Sequence, residues 1–127
     1  MTVSVSVEVV GRWLAAFNAR DERALLATAH AQIVVRPLRW GVRSEYRGHD
    51  GVRDWLHTLA ANPEASTLST TTIQPLPDGR VLAEGAVDHD GAAFVGLYVV
   101  RDELIAEVHG YLSDRALLEQ LGLIASA

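Results

Sequence analysis

Apolar positions recur along the chain in two rhythms, and the change between them divides it. From Val7 to Ala19, the residues Val9, Val10, Trp13, Leu14 and Phe17 fall three and four apart. That spacing predicts a helix with one apolar face, and it puts Glu8 in the positive first turn. Asn18-Ala19-Arg20-Asp21 interrupts the rhythm, and Asp21 is a good N-cap for a short second helix carrying Leu25, Leu26 and Ala29. Ile33-Val34-Val35 reads as a short strand stopped by Pro37. Residues 38–49 show no period and predict an irregular connection. A third helix then starts at Asp50 as cap, with Val52, Trp55, Leu56 and Leu59 on one face, and stops at Asn62-Pro63.

From about Ser66 the period falls to two. Strands are expected at 67–76, 80–88, 93–101 and 104–112, rich in Thr, Val, Ile and aromatics. Pro77-Asp78-Gly79, Asp88-His89-Asp90-Gly91 and Arg101-Asp102-Glu103 supply turn chemistry between them. Short joints imply an antiparallel meander. Ser113 caps a last helix bearing Leu117, Leu118 and Leu121, which Gly122 ends. Helices and strands are segregated, so an α+β domain is expected, with helices on one face of a bent sheet.

Alternation sorts the later strands into two faces. One carries Val81, Ala83, Gly85 and Val87, then Phe94, Gly96, Tyr98 and Val100, then Ala106, Val108, Gly110 and Leu112. Glycines weaken strands, so Gly85, Gly96 and Gly110 must mark a bend, a close approach or space for a ligand. The opposite face carries Val95, Leu97, Val99, His109 and Tyr111. An apolar patch of that kind predicts an interface, and a homodimer is the economical expectation.

Composition narrows the chemistry. At 127 residues, 49% apolar and 21% charged, the chain fits one globular domain over 1–127. It has no cysteine, so thiol nucleophiles, disulfides and thiolate metal sites are excluded. All 11 basic residues are arginine, which excludes Schiff-base chemistry and lysine bases. A net charge of −5 argues against a nucleic-acid surface. No apolar run approaches ~20 residues and no leader is evident, so a cytoplasmic protein without membrane partners is expected.

Several of these segments together resemble the NTF2-like superfamily, and within it the SnoaL-like and ketosteroid-isomerase-like group. They are Trp13…Asn18-Ala-Arg-Asp21, Ile33-Val-Val-Arg-Pro37, Tyr46-Arg-Gly48 before a helix, and Ala106-Glu-Val-His-Gly-Tyr-Leu-Ser-Asp114. The resemblance implies a cystatin-like α+β fold in which a cone-shaped, curved antiparallel sheet wraps around N-terminal helices. It also implies an apolar pocket between helix and sheet, and dimers through the outer sheet face. The family's acids do not carry over. Arg36 stands before Pro37 where ketosteroid isomerases have a general-base Asp. Trp13 and Gly96 stand at their oxyanion donors, and Gly110 stands where SnoaL-type cyclases have a last-strand Asp. Arginine cannot abstract a proton near neutral pH, and glycine offers no side chain.

The remaining candidates are few. Arg36 leads a cluster with Arg39, Arg43 and Arg47, and it is expected to reach the pocket and hold an anion as a bidentate donor. Tyr98 is the pocket-face strand residue with a proton to donate. His30, near the end of helix 2, is a candidate base at the pocket mouth. Trp13, Phe17, Trp55, Phe94, Val108, Gly110 and Leu112 are expected to line the pocket, with Trp40 and Tyr46 stacking on a ligand from the loop. No histidines stand at metal-ligand spacing, so no metal or other cofactor is expected. Three readings stay open: an isomerase, cyclase or hydratase/lyase acting on a small apolar or cyclic compound, a non-catalytic binder, and a dimerisation module with a filled pocket.

Overall fold

Val9, Val10, Trp13, Leu14 and Phe17 are all buried, and the face they form is the one the rest of the chain is built against. The computed structural model describes residues 3–37, 45–62, 67–88 and 91–112, without the side chains of residues 3, 4, 111 and 112. Its elements are α1 (Val3–Ala19), α2 (Glu22–Thr28), β1 (Ala29–Arg36), β2 (Tyr46–Arg47), α3 (Gly48–Ala61), β3 (Leu68–Pro75), β4 (Val81–Val87), β5 (Ala93–Arg101) and β6 (Leu104–Leu112). The strands form one curved, unclosed six-stranded sheet in the order β2-β1-β6-β5-β4-β3. The helices lie on its inner face, so the α+β class expected from the segregated periods is the class observed. The C-terminal helix expected after Ser113, together with Arg39, Trp40, Arg43 and His89, lies outside the described residues.

Local chemistry accounts for the element ends. Asp21 is the N-cap of α2, its carboxylate accepting from Ala24 N at 3.1 Å. Arg20 closes α1 in the left-handed conformation, with φ of 53°, and donates to Phe17 O at 2.7 Å. The same guanidinium lies 4.5 Å from the Phe17 ring centroid. The Asp102-Glu103 turn has φ of 55° and 62°, the primed geometry whose twist suits a two-residue hairpin. β5 and β6 run as the alternation predicts, paired from Phe94↔Leu112 to Arg101↔Leu104.

Five expectations are corrected. The helix α1 begins at Val3, so Glu8 is not in its first turn. Ala29 and His30 belong to β1, not to α2; Thr28 Oγ1 donates to Leu25 O at 2.8 Å and closes the helix one residue earlier. Within the stretch read as irregular, Tyr46–Arg47 pairs with β1, and α3 follows from Gly48 at φ +70°. Asp50 consequently lies inside α3 and pairs with Arg53 at 2.7 Å instead of capping. The sheet is also mixed: β1 runs parallel to β6, with everything between them serving as the crossover.

The outer face is less open than the alternation implies. Val95 and Leu97 are 0% and 4% exposed within one chain, packed with Leu82 and Leu76. These two side chains are thus covered within the chain. Val99 stays half-buried, and His109 is engaged in an ion-pair string described below, while the side chain of Tyr111 lies outside the described set. Among the described residues, no helix is long and apolar enough to cross a membrane.

One glycine secures the β3–β4 joint. A Cβ at Gly85 would fall 2.0 Å from Ser69 O and 2.9 Å from Phe94 Cε1, beside the register shift between Thr70 and Thr72. Close strand approach at a bulge is thus the reason for this glycine. Gly85→Ala should lower stability by about 3 kcal/mol, at the upper end of overpacking costs. Urea denaturation measures it, and an unchanged midpoint would contradict the packing described.

Candidate functional site: an apolar cavity between helices and sheet

Two glycines and one tyrosine shape the floor of the site. Gly96 on β5 stands opposite Gly110 on β6, both on the inner face. The Tyr98 ring folds back over Gly96: a Cβ there would lie 2.7 Å from Tyr98 Oη and 2.8 Å from Cε2. Alanine at 96 would therefore expel the phenol, so the glycine is the seat of the tyrosine. Tyr98 is 3% exposed, and among the described residues its hydroxyl has no hydrogen-bond partner.

The roof is aromatic. Trp55 of α3 stacks between the two α1 rings, 6.4 Å from Trp13 with planes at 14° and 5.4 Å from Phe17 at 28°. Such offset stacks fix ring orientation as well as burying area. The wall nearest the end of α1 is held by Asn18, whose amide donates to Leu68 O and accepts from Leu68 N, both at 2.9 Å. The side chain thereby acts as a short stretch of neighbouring strand.

Between floor and roof lies a cavity whose space open to the centre of a water molecule is about 60 Å³. Trp13, Phe17, Trp55, Phe94, Tyr98, Val108 and Gly110 all line it, as the alternation and helical faces predict. Leu14, Pro37, Leu68, Val87, Val95, Gly96 and His109 join them. By strand alternation Val95 and His109 contribute through the strand itself, their side chains lying on the outer face. Leu112 ends β6 opposite Phe94, and its side chain is outside the described set.

Three expected site residues stand elsewhere. Arg36 does not enter the cavity: its guanidinium pairs with Glu45 at 2.8 Å and approaches His109 Nδ1 at 3.4 Å, with the side chain 45% exposed. Val35 is buried on the inner face, so alternation turns Arg36 outward. The anion-clamp role is thus overturned. His30 lies at the other end of β1 from Pro37, its Nε2 3.5 Å from Asp102 and its Nδ1 accepting from Gln32 N at 3.1 Å. It is not part of the cavity lining. Tyr46 is 1% exposed in the main core under α3, where a Cβ on Gly51 would come within 2.9 Å of its carbonyl carbon. It is a packing residue there and does not face the cavity.

Charge runs along the outside instead. Arg101 approaches Glu107 at 3.8 Å, Glu107 pairs with His109 at 3.0 Å, and Arg36 links His109 to Glu45, which also pairs with Arg47 at 2.5 Å. The arginines, Arg47 foremost, hold the Glu45 carboxyl below its ordinary range. No three His, Asp or Glu side chains converge as metal ligands among the described residues.

Comparison with known proteins places this geometry among relatives. The SnoaL-like domain family matches residues 10–108. No curated protein matches the chain. Among solved structures, TerC co-crystallised with polyporic acid is 19% identical at a TM-score of 0.72, covering 93% of this chain and 98% of its own. An NTF2-like protein of Burkholderia xenovorans is 23% identical at 0.65, covering 94% and 97%. A proposed polyketide cyclase of Sinorhizobium meliloti is 17% identical at 0.66, covering 81% and 93%. At these identities the likeness is one of fold.

Burial raises the Tyr98 phenol above the ordinary tyrosine range. The folded protein therefore keeps a proton that the unfolded chain loses near pH ~10. This contribution to stability is full below that value and is lost as pH climbs from there through the folded value. Urea titrations from about pH 9 to 11 should show wild type losing more stability than Tyr98→Phe. Parallel losses would contradict a buried, protonated phenol.

Proposed function

The chain belongs to the SnoaL-like domain family, and from that premise we propose that it binds a small, largely apolar, cyclic compound in the cavity. In this reading it acts on that compound as an isomerase, cyclase or hydratase/lyase without a metal. The observation that carries the reading is the hydroxyl of the buried Tyr98, without a hydrogen-bond partner among the described residues, at a cavity otherwise walled by aromatic and aliphatic groups. Small-molecule sites have this character: concave, apolar, with very few polar groups that fix orientation. The small molecule in the TerC crystal structure and the cyclase name of the Sinorhizobium relative support it.

The role of Tyr98 is that of a proton donor. Its raised pKa keeps it protonated at neutral pH, so it can stabilise negative charge developing on a ligand oxygen and cannot serve as a base. A second reading, a non-catalytic binder, is favoured by a specific observation. His30 and Arg36 are both committed to Asp102 and Glu45, away from the cavity.

One experiment separates the two. The purified protein is incubated with a panel of small cyclic ketones and enones, capture is read by native mass spectrometry, and turnover by NMR of the recovered compound. The enzyme reading expects capture with turnover, and a turnover loss of about 10²- to 10³-fold in Tyr98→Phe, the scale of removing one oxyanion donor. Capture without turnover across the panel selects the binder. Absence of capture overturns both.

A further inference from the structure

Trp55 carries the one buried side-chain polar atom, among the described residues, that has no hydrogen-bond partner: its indole Nε1. A tryptophan N–H only donates, and an unmet buried donor costs on the order of 1–3 kcal/mol. Stacking on Trp13 and Phe17 holds the ring, so it cannot swing to find an acceptor without breaking two aromatic contacts. A phenylalanine in that stack would present an aromatic face with no donor left unmet. The ring borders the same cavity as the unpartnered Tyr98 hydroxyl.

Resting on the cavity reading above, we propose that Trp55 Nε1–H is a specificity-determining donor that selects a ligand bearing a neutral, carbonyl-type oxygen. Three features agree. Trp55 and Tyr98 are both neutral donors, and a carbonyl oxygen has two lone pairs to receive them. Among the described residues, no lining side chain places a cation in the cavity, and Arg36 is held outside by Glu45. A carboxylate or phosphate would enter without a counter-charge and lose its hydration, which is far costlier than burying a neutral acceptor. The nitrogen is sealed from solvent. The oxygen therefore reaches it only as the wall beside Trp55 yields on binding.

The test uses three probes of matched shape: cyclohexanone, methylenecyclohexane, which replaces C=O by C=CH₂, and cyclohexanecarboxylate. The full chain has three tryptophans, so the indole region of a ¹H–¹⁵N spectrum holds three signals, assigned by Trp13→Phe and Trp40→Phe. Cyclohexanone should move the Trp55 indole signal downfield; methylenecyclohexane should bind without that movement, and cyclohexanecarboxylate should not bind. Trp55→Phe should weaken cyclohexanone up to tenfold, the range of one hydrogen bond, and leave methylenecyclohexane within twofold. Equal weakening of both, a stationary Trp55 signal with cyclohexanone bound, or tight carboxylate binding overturns the proposal while leaving the cavity reading intact. If neither neutral probe binds wild type, the cavity reading itself fails and takes this inference with it. Should Trp55→Phe not fold, the wild-type spectra decide alone.

Discussion

The structure depends on a mismatch of volume between two surfaces that must pack. Helices α1 and α3 present a stacked aromatic slab of Trp13, Trp55 and Phe17, the Trp55 plane tilted 14° from one and 28° from the other. The sheet answers with Gly96 facing Gly110, positions without side chains to fill the gap. Protein interiors normally close to crystal-like density. Here the Tyr98 ring lies down into the glycine hollow and closes part of it, and what is left is the cavity. Larger side chains at either glycine would erase it.

Polarity is arranged with the same economy. The ion pairs among Arg36, Arg47, Arg101, Glu45, Glu107 and His109 lie on the outer side of the sheet, where partners are close and solvent screens them. Among the described residues, the inner side keeps two neutral donors beside the cavity, the Tyr98 hydroxyl and the Trp55 indole. In the function proposed above, those donors orient and polarise an uncharged oxygen.

Much of this was legible in the sequence because it is local. The faces of α1 and α3, the limits of β5 and β6, and the Asp21 cap follow from periodicity and turn chemistry, and so do most of the cavity walls. What escaped is non-local. Nothing near Ala29 or Tyr46 announces that β1 pairs parallel with β6 and antiparallel with β2, since those contacts are supplied by distant segments. The amide clasp of Asn18 on Leu68 spans fifty residues. Arg36 is a different case: Ile33 and Val35 read as one face of a strand, which turns the residue before Pro37 outward, and that alternation prevails over the inward position the family resemblance implies. His109, by contrast, was placed on the outer face by alternation and is found there with Glu107.

The central claim is that a largely apolar, accessible cavity exists between the aromatic slab and the glycine floor. Crystals pressurised with xenon test it most directly, because an apolar cavity takes up such a probe without any polar recognition. The account predicts ordered xenon bounded by Trp13, Trp55, Phe94, Tyr98 and the Gly96–Gly110 pair. Ordered crystals with no xenon there, or with side chains closing the space, would contradict it.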